Sequence, residues 1–446
     1  MKLARLFNDK KLLKESWSVS WPMTLIMFFI FLIGFSDVYV AGIFGKEIQA
    51  AYGLASQIYF IFSIIVFALT IGTVSVLSRL FTSGKKEEFD RALESSLILT
   101  LLCGAIFSIL GFIFSGPVIH RLGVPEELKD YAVIFTRIYS AGLLFSYFLI
   151  NTNGILRACK MIRNSLWTMF VVALLNIVLN FILALGTPLG FKGIALATVA
   201  SSAIGCLMNM VFMRRLIDGL RRVSISAAIR ILHIGWPAGL LQVLWQLAAL
   251  ALYLILSRFP VHNIEILAAF TNGLKVESAI FLPAFAFNMA AAVLAGNFLG
   301  SRRREEAFNS GIVTAIVGVV IVTALSAIAM IFARPIASLL SDNAIVVNEC
   351  VRYIHISLIF EPFMAWGIIL GGALNGAGDT RGVTWIVALS VWLVRLPLSY
   401  LLGVYLGFGA VAVWWSMNAS IIVQSVFLTR RFFKREWIRH AEALVI

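Results

Sequence analysis

Charge is scarce in this chain: Asp, Glu, Lys and Arg make up 13% of its 446 residues, whereas 61% are hydrophobic. The mean hydropathy is +0.95. A soluble globular domain carries about twice that share of charge and is excluded. Cysteine is sparse as well. Cys103, Cys159, Cys206 and Cys350 stand without paired spacing, three of them in or beside apolar runs, so neither a disulfide framework nor a metal site is expected. HExxH, CxxC and nucleophile-elbow motifs are missing, and the five histidines show no ligand spacing. The stretch "GKKEE" at residue 84 lacks the glycine spacing and the Ser/Thr of a phosphate-binding loop. These gaps argue against an enzyme and against ATP-driven transport by this chain alone.

What the chain does contain is apolar runs of about 20 residues or more, the length that crosses a bilayer. Twelve recur, at 16–43, 54–80, 94–117, 131–153, 164–186, 191–216, 230–257, 266–298, 310–333, 350–372, 383–405 and 409–429. Their continuous apolarity points to helices, because barrel strands would alternate over about 10 residues. The expected fold class is an all-α polytopic membrane protein with twelve transmembrane helices.

The net charge of +14 is distributed unevenly. Of 36 Lys and Arg, 26 lie before span 1, after span 12, or at the even-numbered connections and their flanking helix ends. The odd-numbered connections hold six: Lys46, Arg121, Lys129, Lys192, Arg258 and Arg334. This positive-inside asymmetry places both termini in the cytoplasm of a multi-pass plasma (inner) membrane protein. The basic stretches "SRRREE" and "TRRFFKRE" then face membrane lipids rather than nucleic acid. The basic start runs into a span longer than a signal peptide's apolar core, so the first helix is expected to be retained.

The two halves resemble each other. "SWPM" at 20 answers "GWPA" at 235, "AAYGLASQIYFIF" at 50 answers "AAFTNGLKVESAIF" at 268, and Trp167 answers Trp385. Six helices per copy means that both copies cross the membrane in the same sense, related by an axis along the membrane normal. The expected organisation is a six-helix lobe at 1–216, a cytoplasmic linker at 217–229 and a second six-helix lobe at 230–446.

The order of several stretches within this repeat resembles the multidrug and toxin extrusion (MATE) transporters. The carriers are Asp37 followed by "VAG", "LSRLFTSGKKEEFDRAL", "GILRACKMIRNSLW", "NIVLNFILALGTPLGFKGIALATVAS", "LAAFTNGLKVESAIFLPAFAFNMAAAVLAGNFLGSRRREEA" and "GGALNGAGDTR". The resemblance covers essentially the whole chain and is to the prokaryotic branch with its ion-site aspartate on helix 1. It implies two lobes in a V, a central cavity, and export of a cationic or amphipathic small molecule in exchange for H+ or Na+. No cofactor beyond that ion is expected, and the partners are the substrate and membrane lipids around a monomer. A flippase for a lipid-linked saccharide shares the superfamily fold and is the rival reading, although such proteins usually add helices beyond twelve. A channel or intramembrane enzyme would need filter or catalytic motifs that are not found.

Three acids lie away from connections: Asp37, Glu277 and Glu361. An acid at bilayer depth costs about 3 kcal/mol or more, so each needs a cavity or a partner. The repeat equivalent of Asp37, near residue 252, carries no acid, so the shared bundle does not demand one. Asn176 and Asn180, spaced i, i+4, share a face of the fifth span. In the family pattern the helix 1 aspartate, this pair and a helix 6 threonine converge, which assigns ion coupling to Asp37, Asn176, Asn180 and Thr198. Some relatives carry a second acid where this chain has Asn180, so H+ and Na+ both remain open. Pro22, fifteen residues before Asp37, removes a backbone hydrogen bond and is a candidate hinge, or is simply tolerated near the helix start.

In the second lobe, Lys275 and Glu277 are two positions apart and do not face each other on a helix. A charge network of Lys275, Glu277, Glu361 and Arg395 is expected at mid-depth, either structural or binding substrate or a proton. Trp245, Trp366 and Trp392 are candidates to line a site for flat cations, with packing as the alternative.

Overall fold

The computed structural model describes residues 10–121, 125–217 and 223–443, and every regular element among them is helical. The first half contains α1 (Lys10–Ile43), α2 (Lys46–Thr82), α3 (Lys86–Arg121), α4 (Glu126–Ala141), α5 (Leu143–Ala158), α6 (Ile162–Leu179) and α7 (Lys192–Ile217). A π-helical segment, Asn180–Leu185, continues α6. The second half contains α8 (Ile225–Leu256), α9 (Asn263–Gly300), α10 (Arg304–Ile331), α11 (Ala333–Leu340), α12 (Ala344–Leu358), α13 (Glu361–Gly376), α14 (Thr380–Leu389), α15 (Gly409–Phe433) and α16 (Glu436–Ala443). Beyond α14 the chain stays helical through π segments Ser390–Arg395 and Ser399–Tyr405.

Among the described residues ten helices are long and apolar enough to cross a membrane, and two bent pairs, each taken as one span, bring the number to twelve. The expected spans 131–153 and 350–372 are these pairs, α4 with α5 and α12 with α13, bent by 50° and 51°. Both breaks fall at the same place in the repeat. The turns repeat too: Gly84 and Arg302 both take a left-handed conformation (φ 77° and 61°), as do Lys160 and Gly378 (φ 60° and 92°). In each pair one copy uses glycine, the residue for which this conformation is least costly, and the other bears the strain. Glu87 and Glu88 open α3 as Glu305 and Glu306 open α10, complementing the exposed N–H groups of each first turn. Trp167 and Trp385 each occupy the sixth position of their helix, and both are exposed.

Packing divides the chain into two compact units, Leu25–Gly239 and Leu240–Ile446 with the stretch up to Thr24. The divisions follow Pro22 in α1 and Pro237 in α8 by two residues each, where an intrahelical hydrogen bond is missing. Of the expected linker 217–229, residues 218–222 lie outside the described residues, and α8 already begins at Ile225. The first part of α8 is held against α2 by two glycines. A Cβ on Gly72 would run into the carbonyl oxygen of Ile231, and one on Gly235 into that of Ala68. Because backbone stands on the far side, neither contact can relax by a rotamer change. Gly72→Val is expected to destabilise the protein by about 1–3 kcal/mol or more, the usual range for overpacking. Thermal unfolding in detergent checks this, and a wild-type melting curve for Gly72→Val refutes it.

Two bases counted with the even-numbered connections prove to be buried. Arg79 is 2% exposed and donates from Nε to the Ser75 carbonyl at 2.8 Å, and Arg157 is 6% exposed. Hydropathy marks the run in which a residue lies, not the direction in which the last helical turn aims it.

Candidate functional site

In the unit Leu25–Gly239, Asp37 lies near the end of α1 and is 3% exposed. The opposite wall is built by a backbone irregularity. At Asn180 the α6 helix widens into its π segment, the kind of insertion that often marks functional sites. Gly193, at the start of α7, lies so close to the backbone of Leu183 and Ala184 that a Cβ there would stand 2.5 Å from the Ala184 nitrogen. Only glycine permits that approach, and it carries Thr198, on the next turns of α7, into the pocket.

Four expected residues meet here. Asn180 Nδ2 donates to Asp37 Oδ1 at 2.6 Å, with Ser36 Oγ at 3.2 Å and Asn176 Oδ1 at 3.3 Å also within reach. Thr198 Oγ1 donates to Asp37 Oδ2 at 3.1 Å and has a second acceptor in the Ile194 carbonyl at 3.3 Å. Asn176 Nδ2 donates to Thr198 Oγ1 at 3.1 Å. Asn176 and Asn180 are fully buried, and the apolar shell includes Val40, Ala41, Ala51, Ala184 and Ile194. Among the described residues no base forms an ion pair with Asp37. Its charge is therefore stabilised by dipoles alone, a costly arrangement away from water. A proton or a small cation taken up here would offset that cost directly.

Sequence reasoning missed Ser36 and three tyrosines. Tyr52 faces the carboxyl, and Tyr59 and Tyr139 stand beside it with ring centroids 5.4 Å apart. A signal for Tyr52 was available in the repeat: its partner in the other half is Phe270, so a hydroxyl, like the acid, is present in one copy only. The ring geometry is nevertheless duplicated, with Tyr52 edge-on to Phe135 at 5.9 Å and Phe270 edge-on to Tyr353 at 5.8 Å.

The second unit holds only part of the expected charge network. The Tyr353 hydroxyl donates to Glu277 Oε2, and Glu361, 1% exposed, neighbours Glu277 with neither of its oxygens hydrogen-bonded. Arg395 acts on both carboxyls from a distance; its Nε donates to Ser420 Oγ at 2.9 Å and its guanidinium lies 5.2 Å over the Trp245 ring. Lys275 does not join. It is exposed and, two positions along α9 from Glu277, lies on another face of the helix. Trp366 Nε1 donates to Thr429 Oγ1 at 2.9 Å and Trp392 Nε1 to the Leu244 carbonyl at 3.3 Å, Trp392 being 37% exposed. Glu349, at the edge of its span, was also missed: it accepts from the buried Trp414 indole at 2.9 Å.

Comparison with known proteins agrees with this architecture. The chain is 23% identical over 440 residues to the uncharacterized transporter YisQ of Bacillus subtilis, covering 96% of this chain and 95% of that protein. It is 22% identical to the probable multidrug resistance protein NorM of Thermotoga maritima, covering 92% and 90%. Among solved structures, a MOP superfamily transporter from Pyrococcus furiosus superposes with a TM-score of 0.89 at 21% identity, over 97% of both chains. The Vibrio cholerae MATE transporter VcmN in its bent form also gives 0.89, at 20% identity over 97% and 98%. Residues 22–182 and 237–401 match the MatE family, beginning at the equivalent prolines of the two copies. With matched segments in both halves, twelve spans and this fold, the chain belongs to the MATE family of multi-pass membrane transporters.

Proposed function

We propose that the protein is a secondary antiporter that exports cationic or amphipathic small molecules, drugs and toxins among them, in exchange for H+ or Na+ by alternating access. The observation that carries this reading is Asp37: a buried carboxyl, hydrogen-bonded on both oxygens, with no base paired to it. A packing acid is normally neutralised by a fixed partner, whereas an acid left for a mobile ion is not. Ion uptake removes the cost of closing water out of the site, and ion release restores it. Occupancy thus biases which conformation is stable. Relatives named as multidrug resistance proteins support the substrate class.

The test is efflux of a fluorescent cation from proteoliposomes with a pH gradient and a Na+ gradient imposed separately. Efflux driven by either gradient supports the antiporter. Lipid flipping without such efflux supports a flippase instead, and steady ion conductance a channel.

The same reading places the protein in the plasma (inner) membrane with both termini and the segments 80–93 and 299–309 in the cytoplasm, from the charge asymmetry. Cysteines introduced at Ser83 and Ser301 should resist an impermeant thiol reagent added outside intact cells and react after permeabilisation. Labelling from outside would reverse the topology.

A further inference from the structure

We infer that the seam between α2 and α5, in the unit Leu25–Gly239, is a binding site for one small inorganic anion of the chloride class, ligated by the Arg157 guanidinium and the Thr70 hydroxyl. The site uses none of the residues around Asp37 and does not depend on the antiporter reading.

Arg157 sits in the last turn of α5 and is 6% exposed. Among the described residues its side chain forms no ion pair and no hydrogen bond. The guanidinium turns back along its helix to the level where α5 touches α2. Its Nη2 stands 3.8 Å from the place that a Cβ on Gly154 would take, and the Thr70 methyl stands 2.6 Å from that same place. Thr70 is 6% exposed, and its Oγ1 is buried without a hydrogen-bond partner. The end of α5 does not supply the missing acceptor, because the carbonyls of Ile155, Leu156 and Arg157 already accept from the N–H groups of Cys159, Met161 and Lys160. A buried charge and a buried hydroxyl thus flank one glycine, both unmatched. Such groups are costly unless something pairs with them.

The bundle does not need this charge to fold, as the other copy shows. The residues 218 positions on are Asn375 for Arg157, Asn288 for Thr70 and Gly372 for Gly154. The close approach is kept: a Cβ on Gly372 would stand 2.1 Å from the Asn288 carbonyl oxygen. There, however, Asn288 Nδ2 donates to the Ile368 carbonyl at 2.7 Å, and both positions are neutral. Arg79 shows the same exchange, for its counterpart is Asn297, and each donates to the carbonyl four residues back, at 2.8 Å and 3.0 Å. One copy has amides where the other has bases. Arg230 adds a further positive charge that acts on Arg79. A ligand that answers this set is an anion, through charge-assisted hydrogen bonds from guanidinium and hydroxyl. The donors are few, so a phosphate would bury oxygens that nothing satisfies. A monatomic anion makes no such demand and tolerates the methyl groups of Thr70 and Val74 that stand beside Gly154.

The test is thermal unfolding of the purified protein in detergent, with sodium chloride titrated against sodium gluconate at constant ionic strength. The melting temperature of the wild type is expected to rise with chloride along a saturating curve, as for a ligand bound by the folded state, and bromide should replace chloride. Arg157→Asn, which installs the residue of the other copy, should abolish the response. Thr70→Val keeps the shape but removes the hydroxyl, and should move the midpoint to about tenfold higher chloride, the factor that one charge-assisted hydrogen bond is worth. Equal melting temperatures in chloride and gluconate overturn the inference. A chloride response that persists in folded Arg157→Asn puts the anion elsewhere and overturns it as well. If Arg157→Asn does not fold, the midpoint of Thr70→Val decides, and an unshifted midpoint counts against the site. Stabilisation by inorganic phosphate or by phosphatidylglycerol, but not by chloride, gives the site to a phosphate group and overturns the small anion. Transport is not read in any arm, so each of these failures leaves the antiporter reading intact.

Discussion

Asp37→Asn is expected to reduce gradient-driven efflux to the passive leak of protein-free liposomes while folded protein stays near the wild-type level. The substitution keeps the shape of the side chain and leaves an oxygen for Asn180 Nδ2, which now stands 2.6 Å from Oδ1. The new NH2 group can donate to Thr198 Oγ1, whose own hydrogen turns to Ile194. Polar matching therefore survives, and the change in stability should lie within about 1 kcal/mol, the scale of one rearranged neutral hydrogen bond. What is lost is titration and formal charge, and with them the energetic difference between an occupied and an empty site. A merely structural Asp37 would give the reverse pattern, with efflux per folded molecule preserved and yield reduced. Efflux normalised to monodisperse protein separates the two. Unaltered coupled efflux in the mutant would remove Asp37 from the mechanism and shift attention to Glu277 and Glu361.

The second large effect is expected at Arg395, and on stability. Arg395 is 8% exposed and is the base that acts on Glu277 and Glu361, which neighbour one another. Arg395→Met leaves the buried Glu361 and the half-buried Glu277 beside it without that countercharge; because the described residues show no direct ion pair between them and the arginine, the loss should be about 3 kcal/mol or less, the low end for a broken buried pair. Glu361→Gln should cost far less, within about 1 kcal/mol, because neither carboxyl oxygen has a hydrogen-bond partner to lose. Glu277→Gln should fall between them, since Tyr353 gives up a charged acceptor. Unfolding in detergent ranks the three. Should Glu361→Gln prove as damaging as Arg395→Met, Glu361 is the true partner of Arg395 and the carboxyl pair is not the unit that the arginine serves.

Particular elements show how far a linear reading reaches. Asp37, Asn176 and Asn180 were legible because each is polar within an apolar run, where a buried polar group needs a reason; Thr198 was reached through the resemblance to the family pattern. Ser36, Tyr52 and Tyr139 were not, because a serine can bond the preceding turn of its own helix and a tyrosine presents a largely apolar ring, so neither stands out in an apolar run. Lys275 was misplaced for a geometric reason: two positions along a helix put its side chain on another face from Glu277, and it is exposed. The bends between α4 and α5 and between α12 and α13 left no trace in hydropathy, which averages over a whole span.

Composition and periodicity by themselves determined the class of the molecule. Twelve runs of bilayer length follow from the demand that apolar chain be buried in lipid and that every backbone group bond within its own segment, and the one-sided basic charge from the orientation bias of Lys and Arg. Only the tertiary structure decided the site. The π-helical turn at Asn180, the contact of Gly193 with the backbone before it, and the choice of which end of an amide points at Asp37 are differences of a few ångströms and a single rotamer. These depend on packing between helices far apart in sequence. The hydrophobic effect that orders the spans is non-directional and is indifferent to such choices; hydrogen bonds within the pocket are not.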